Sequence, residues 1–229
     1  MRRALGLVTI GQSPRTDLVE DYEQALPGVR IVQSGALDDL SEAQVLELRP
    51  DPGDEVLVSR LRTGREVRLG RRHLEPRLQV CLDRLARDVD LTILLCTGEF
   101  PALRPRGPML VPLRVLRHVV SAVVEGVRDA ANEAMRLGVL VPDPAQQASA
   151  ESRWRPLGEV IAVAASPYRA EGLEGAAKVL REAKARAVVM DCIGYTQPMR
   201  QAVASITEVP TVLANASVAM IAREVLGEA

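Results

Sequence analysis

Apolar residues in this chain come in short unbroken runs separated by longer amphipathic stretches. The runs at 5–10, 91–96, 137–141, 160–165, 187–190 and 211–214 have the length of strands covered on both faces, and shorter ones at 29–32 and 109–111 read the same way. Between them, apolar positions at helical spacing predict helices over 16–26, 41–46, 73–87, 113–127, 143–152, 170–184, 197–205 and 216–226. Thr16 is the expected N-cap of the first helix, with Asp17 and Glu20 in its first turn and Pro27-Gly28 as its stop. Residues 55–62 and 65–69 alternate at period two around Thr63-Gly64, which predicts a β-hairpin. Strands alternating with helices of this length predict right-handed βαβ units and parallel sheets.

Two of the runs end alike. Leu95-Cys96-Thr97-Gly98 and Asp191-Cys192-Ile193-Gly194 each place a cysteine at a strand end with a glycine two residues on. Ligands of open α/β sheets bind beyond the carboxyl ends of strands, so both thiols fall where a site is expected. One copy in each half predicts an α/β fold of two pseudo-symmetric parallel-sheet lobes, helices on both faces of each sheet, and a cleft between the lobes. A second echo, Ser13-Pro14-Arg15 against Ser166-Pro167-Tyr168-Arg169, is consistent with pseudo-symmetry, although its spacing to the cysteine is far longer in the first half. Residues 100–108, rich in Pro and Arg, are the expected linker.

Composition narrows the function classes. A length of 229 residues with 47% hydrophobic and 26% charged residues describes a globular chain of one large or two small α/β domains. A net charge of -1 argues against a general nucleic-acid binder, and 2% aromatic content against a stacking platform. Arg60, Arg62, Arg65, Arg68, Arg71 and Arg72 gather around the hairpin, where a solvated face is the plainer reading and an anion-binding surface the other. Three cysteines suit a reduced, cytoplasmic setting better than a disulfide framework. The apolar stretch after Met1-Arg2-Arg3 is too short for a leader, and no run approaches membrane-spanning length.

Cys96 and Cys192 are therefore the candidate catalytic residues. Backbone amides beyond the strand ends activate thiols, and two thiols on opposite sides of a substrate make an acid and a base, one removing the proton α to a carboxylate and the other returning it. A buried cysteine otherwise behaves as a small hydrophobe, and Cys81, inside a helix, is read that way. Asp191 either acts on the neighbouring thiol or is a structural hydrogen-bonding residue; the sequence leaves both open. In the loop after the first strand, Gln12, Ser13 and Arg15 are candidate substrate contacts, since a hydroxyl and a guanidinium clamp a carboxylate. A capped helix with a surface arginine is the competing reading. Thr97, Gly98, Gly194 and Tyr195 beside the thiols, and Ser166 in the echo loop, complete the candidate set. Neither a P-loop nor a dinucleotide fingerprint is present, and His73 and His118 lack partner spacing, so no cofactor and no metal site is expected.

Thr9-Ile10-Gly11-Gln12-Ser13-Pro14-Arg15, Cys96-Thr97-Gly98-Glu99-Phe100-Pro101 and Asp191-Cys192-Ile193-Gly194-Tyr195 together resemble the AroM family, named for its association with aromatic amino-acid genes. The resemblance spans essentially the whole chain. More distantly, the two Cys-ended strands are similar to the aspartate/glutamate racemase superfamily, which includes hydantoin racemases and maleate isomerase-like proteins. That resemblance implies a cofactor-independent enzyme of two lobes with Cys96 and Cys192 in the paired catalytic positions. It also implies a final segment crossing back, so that residues 1–102 with 209–229 form one lobe and 103–208 the other. The chain departs from the superfamily in having Asp191, where glycine is common, before the second cysteine. The expected function is racemase or isomerase chemistry on a small carboxylate or hydantoin-like substrate; the alternative is a non-catalytic small-anion-binding or regulatory protein. The expected partner is a small anionic substrate, with neither nucleic acid nor membrane. The oligomeric state stays open, a homodimer being one option.

Overall fold

The apolar runs assemble into two parallel sheets. In the computed structural model of the chain, residues 3–129 and 134–227 are described; Met1 and Arg2, which open the leader-like stretch, lie outside them. The chain divides into two units, Met1–Leu113 with Val218–Ala229, and Arg114–Ser217.

The first unit contains β1 (Ala4–Thr9), α1 (Val19–Ala25), β2 (Arg30–Gly35), α2 (Glu42–Leu46), β3 (Val56–Arg60), β4 (Glu66–Gly70), α3 (Arg71–Leu85), β5 (Leu91–Leu95) and β6 (Met109–Leu110). Its sheet runs β2-β1-β5-β6, all parallel, and β3-β4 is the expected antiparallel hairpin, turning at Gly64 with φ +86°. After α4 (Pro112–Asp129), the second unit contains β7 (Arg136–Val141), α5 (Gln147–Trp154), β8 (Glu159–Ala164), α6 (Leu173–Glu182), β9 (Ala187–Met190), α7 (Gln197–Thr207) and β10 (Thr211–Leu213); α8 (Ala214–Leu226) closes the chain. Its sheet runs β8-β7-β9-β10, again all parallel. Every residue of β1, β5 and β9 is buried, whereas the edge strands β2 and β8 are only partly covered. Burial on both faces is what an unbroken apolar run encodes.

Both sheets follow one path. The first strand is central, the second lies on one side of it, the third on the other, and the fourth lies outside the third. The cysteines follow the third strand in both cases. Gly6 in β1 and Gly138 in β7 are equivalent as well. A side chain at Gly6 would crowd Leu85 of α3 at 3.3 Å, and one at Gly138 would crowd Leu180 of α6 at 3.1 Å. In each unit the helix that leads to the third strand leans on that glycine. The Ser-Pro echo is not part of this repeat: Ser13-Pro14 follows the first strand of its unit and Ser166-Pro167 the second strand of its own.

Several expectations are corrected. Met109–Leu110, assigned by sequence to the second lobe, pairs with Thr92 and Ile93 of β5, and Thr211–Leu213, assigned to the first, pairs with β9. A two- or three-residue strand persists only where an open sheet edge completes its hydrogen bonds, and those edges belong to β5 and β9. The units part inside α4 and α8. The expected linker at 100–108 is a pinned loop of the first unit: Leu103 is buried, and Arg104 N donates to Gln79 Oε1 at 2.8 Å. Helix α1 starts at Val19, and Thr16 is not its cap, because Leu18 N and Val19 N both turn back to the Arg15 carbonyl. Ser41 does cap α2, with a complete capping box to Gln44. Among the described residues, no helix is long and apolar enough to cross a membrane.

Candidate functional site

Each thiol is held by the turn that follows it. Cys96 comes directly after β5, and the Gly98 N–H donates to its sulfur at 3.2 Å. Cys192 lies two residues past β9, and the Gly194 N–H donates to its sulfur at 3.4 Å. Both cysteines are buried, 8% and 9% exposed, and each sulfur has a fixed donor. An amide aimed at a sulfur favours negative charge there, which is the charge that proton transfer develops. Glycine is needed two residues on because a Cβ at Gly98 would come within 3.3 Å of Cys96 Sγ and 3.0 Å of Leu57. Thr97, between them, is buried. No helix follows Cys96 at once; residues 97–108 are loop, and α7 follows the other thiol after a short turn.

The residues around Cys192 are held by the fold. Asp191 makes structural hydrogen bonds: its side chain is fully buried, and one carboxylate oxygen accepts from Trp154 Nε1 at 2.8 Å and Arg153 Nη1 at 3.0 Å. Tyr195, a candidate substrate contact, is completely buried and donates its hydroxyl to the Ala165 carbonyl at 2.6 Å. Burial first, and the neighbouring Cys192 and Asp191 next, push its phenol well above the ordinary value of 10.0. Ser166 accepts from the Tyr168 N–H at 3.1 Å, which sets the start of the next loop. Tyr168 is a further residue at this turn, beyond the candidate set. A methyl group at Gly194 would fall 2.4 Å from its hydroxyl and 2.9 Å from Pro167, so the phenol lies directly on the Cys192–Gly194 turn. The sequence signal for it is the Ser166-Pro167-Tyr168 loop, where Ser166 is already a candidate contact.

In the loop after β1, the polar candidates serve the loop. Ser13 donates its N–H and hydroxyl to the two oxygens of Asp38, at 2.7 and 2.6 Å, and Asp38 also accepts from Gly35 N and Arg62 Nη2. The Gln12 amide donates to the Leu37 carbonyl at 3.2 Å and accepts from Arg62 N at 3.0 Å. Arg15, 3% exposed, grips Asp17 bidentately at 2.9 and 2.7 Å and reaches Thr9 Oγ1 at 3.4 Å. The Asp17 carboxyl is held below its ordinary value; burial, the largest influence, would raise it, but the hydrogen bond and charge of Arg15 and the charge of Arg60 outweigh it. The structure thus brings Gln12, Ser13 and Arg15 together in one loop around internal partners.

Elsewhere, five of the hairpin arginines are in ion pairs. Arg60 pairs with Asp17, Arg62 with Asp38, Arg65 with Glu42, Arg71 with Glu55, and Arg72 with Asp51 and Asp54. Asp51, Asp54 and His73 bring their ligand atoms within 4.8 Å of one another, a grouping the spacing of the histidines did not reveal, but Arg72 already engages both carboxylates. Burial, the leading influence on Cys81, pushes its thiol up, in keeping with its reading as a core residue.

The family model described as AroM protein matches residues 5–226. The chain belongs to the AroM family. Among curated protein sequences none matches it. Solved structures share the AroM-family chain's fold at low identity. The maleate isomerase Iso from Pseudomonas putida S16 superposes with a TM-score of 0.57 at 13% identity, covering 98% of this chain and 92% of that one. Unliganded arylmalonate decarboxylase gives 0.57 at 14% identity, over 99% and 94%. Glutamate racemase from Thermus thermophilus, in complex with β-chloro-D-alanine, gives 0.52 at 13% identity, over 98% and 80%. At such identities the likeness establishes the fold.

Proposed function

We propose that this AroM-family chain is a cofactor-independent racemase or isomerase of a small carboxylate or hydantoin-like acid, with Cys96 and Cys192 as its acid/base pair. The observation that carries the reading is the repeat: in both units a thiol follows the third strand of the same four-strand path and accepts the N–H of the glycine two residues on. The shared fold with an isomerase, a decarboxylase and a racemase of small acids supports the reaction class.

One sulfur, as thiolate, takes the proton α to the carboxylate, and the electron pair left behind spreads into that carboxylate. The other thiol then delivers its proton to the opposite face, so that thiol and thiolate have exchanged places after one turnover. The Gly98 and Gly194 amides stabilise whichever sulfur carries the charge. Thr97, Gly98, Gly194 and Ser166 remain proposed substrate contacts, and Tyr168 joins them through its place on the Gly194 turn. Tyr195 ties the Cys192 turn to Ala165, beside Ser166, and Gln12, Ser13 and Arg15 shape the loop after β1.

The test is a screen of small acids and hydantoins for α-proton exchange in heavy water, followed by Cys96→Ser and Cys192→Ser on any substrate found. Each serine variant is expected to lower turnover by at least about a hundredfold, the usual share of a positioned proton donor or acceptor. Turnover that survives either substitution overturns the cysteine pair. An acid that binds the wild type and both variants equally, with no exchange in any of them, identifies a binding or regulatory protein instead.

A further inference from the structure

A groove in the first unit is lined by residues with no part in the thiol chemistry. It lies between α3 and the turn after β2, has a volume of about 290 Å³, and is bordered by Gly35, Ala36, Asp38, Asp39, Pro76, Arg77, Val80, Cys81 and Arg84. Neither Cys96 nor the 12–15 loop lines it. Arg77, Val80, Cys81 and Arg84 stand at positions i, i+3, i+4 and i+7 of α3, so a single helix face forms one wall. Its volume sits at the lower end of small-ligand pockets.

The charges around it do not cancel. Asp38 is satisfied by Ser13, Gly35 and Arg62, and Asp39 by Arg77. Arg84 is exposed and makes no hydrogen bond or ion pair among the described residues. Its guanidinium nevertheless acts on both sides of the groove, lowering Asp39 after the larger influence of Arg77, and opposing the burial that raises Cys81. The remaining surface is apolar: Ala36, Pro76, the half-exposed Val80 and the Cys81 thiol, which is 5% exposed. One uncompensated cation at the rim of an apolar trough matches a ligand with one negative charge and a short hydrocarbon body. A multivalent anion fits less well, because the Asp38 and Asp39 carboxylates border the same space.

We propose that this groove is a second binding site, specific for a small aliphatic monocarboxylate whose carboxylate pairs with Arg84 and whose chain lies against Ala36, Pro76, Val80 and Cys81. The site is independent of the paired thiols. Its position bears on them through Asp38, whose carboxylate borders the groove and also holds the Ser13 end of the loop after β1.

The test is a ¹⁵N-resolved NMR titration of the full chain with hexanoate, and with hexanamide as the uncharged control. In the wild type, hexanoate is expected to give saturable shifts at the Gly35, Ala36 and Cys81 amides, with a Kd on the order of 1 mM, the scale of one ion pair plus a partly covered chain. Hexanamide is expected to bind at least about tenfold more weakly, the loss of roughly one charge-assisted contact. Arg84→Gln, an exposed substitution that leaves the fold intact, abolishes the hexanoate shifts. The Cys96→Ser/Cys192→Ser double variant retains them, which separates this site from the thiol reading. Equal shifts with hexanamide, unchanged binding in Arg84→Gln, or no saturable shift at these amides overturns the proposal.

Discussion

The amide of Gly98 donates to the sulfur of Cys96 at 3.2 Å. The same contact recurs between Gly194 and Cys192 at 3.4 Å, on the topologically equivalent turn of the other unit. A strand followed by a two-residue turn brings an N–H back over the side chain that has just left the sheet, so the donor is fixed by backbone and not by a mobile side chain. Reorganisation at that sulfur is small for this reason, and its environment is sensitive to the glycine.

Gly194→Ala tests that sensitivity. The new methyl group would lie 2.4 Å from the Tyr168 hydroxyl and 2.8 Å from its ring carbon, so the phenol must move. The expected outcome in thermal and urea unfolding is a loss of about 1–3 kcal/mol, the usual cost of overpacking. Gly98→Ala, whose tightest contact is a Leu57 methyl at 3.0 Å, is expected to cost less. A larger loss for Gly98→Ala would contradict the placement of Tyr168.

Asp191→Ala leaves the largely buried Arg153 and the Trp154 indole without their shared acceptor. Removing one partner of a buried pair costs about 3–5 kcal/mol. Trp154 is the only tryptophan in the chain, so its fluorescence reads the site directly. The emission is expected to shift to longer wavelength in the variant, and Asp191→Asn, which keeps an acceptor for the indole, is expected to shift less.

Tyr22→Phe is expected to leave stability unchanged or raise it by about 0.5–1 kcal/mol. Tyr22 is fully buried in the first unit, and its hydroxyl has no hydrogen-bond partner among the described residues. An unsatisfied buried hydroxyl gains nothing that an apolar edge would not. Burial, foremost, also raises its phenol far above 10.0. A group raised on folding contributes stability that is complete below its unfolded value and is lost as pH climbs above it. Urea midpoints measured on either side of about pH 10 should therefore fall less in Tyr22→Phe than in the wild type, with Tyr195 and Cys81, both raised by burial, contributing to the loss that remains.

The Arg15–Asp17 pair carries the opposite sign. The Asp17 carboxyl is depressed below its ordinary value of 3.8, so its contribution is present above that pH and is lost as pH falls below it. Comparing urea midpoints near roughly pH 6 and pH 3, Asp17→Asn should be less stable than the wild type at the higher pH and closer to it at the lower. A constant gap between the two proteins would place the carboxylate outside the Arg15 pair.

What could be read from the residues alone follows from local patterning. The alternation of strands and helices, the hairpin turning at Gly64, the Ser41 capping box and the thiols at two strand ends all depend on neighbours within a few positions, and residue order records those directly. The family membership was legible for the same reason, through short motifs at the β1, β5 and β9 ends. Element bounds shifted by a few residues where a nearby hydrogen bond took over, as at Arg15 before α1.

Partner choice was beyond that reach. Ser13 binds Asp38, Gln12 binds Leu37 and Arg62, Tyr195 binds Ala165, and Asp191 binds Arg153 and Trp154, across separations that residue order does not encode. These four polar side chains have partners inside the fold, because a buried donor or acceptor takes the nearest partner that satisfies it. The sheet edges that receive Met109–Leu110 and Thr211–Leu213 were set in the same way, by which edge lay open once the longer strands had paired. By itself the sequence determined the elements and the two thiols at their ends; tertiary structure alone decided which polar groups are internal, since that depends on burial, and burial is a property of the assembled fold.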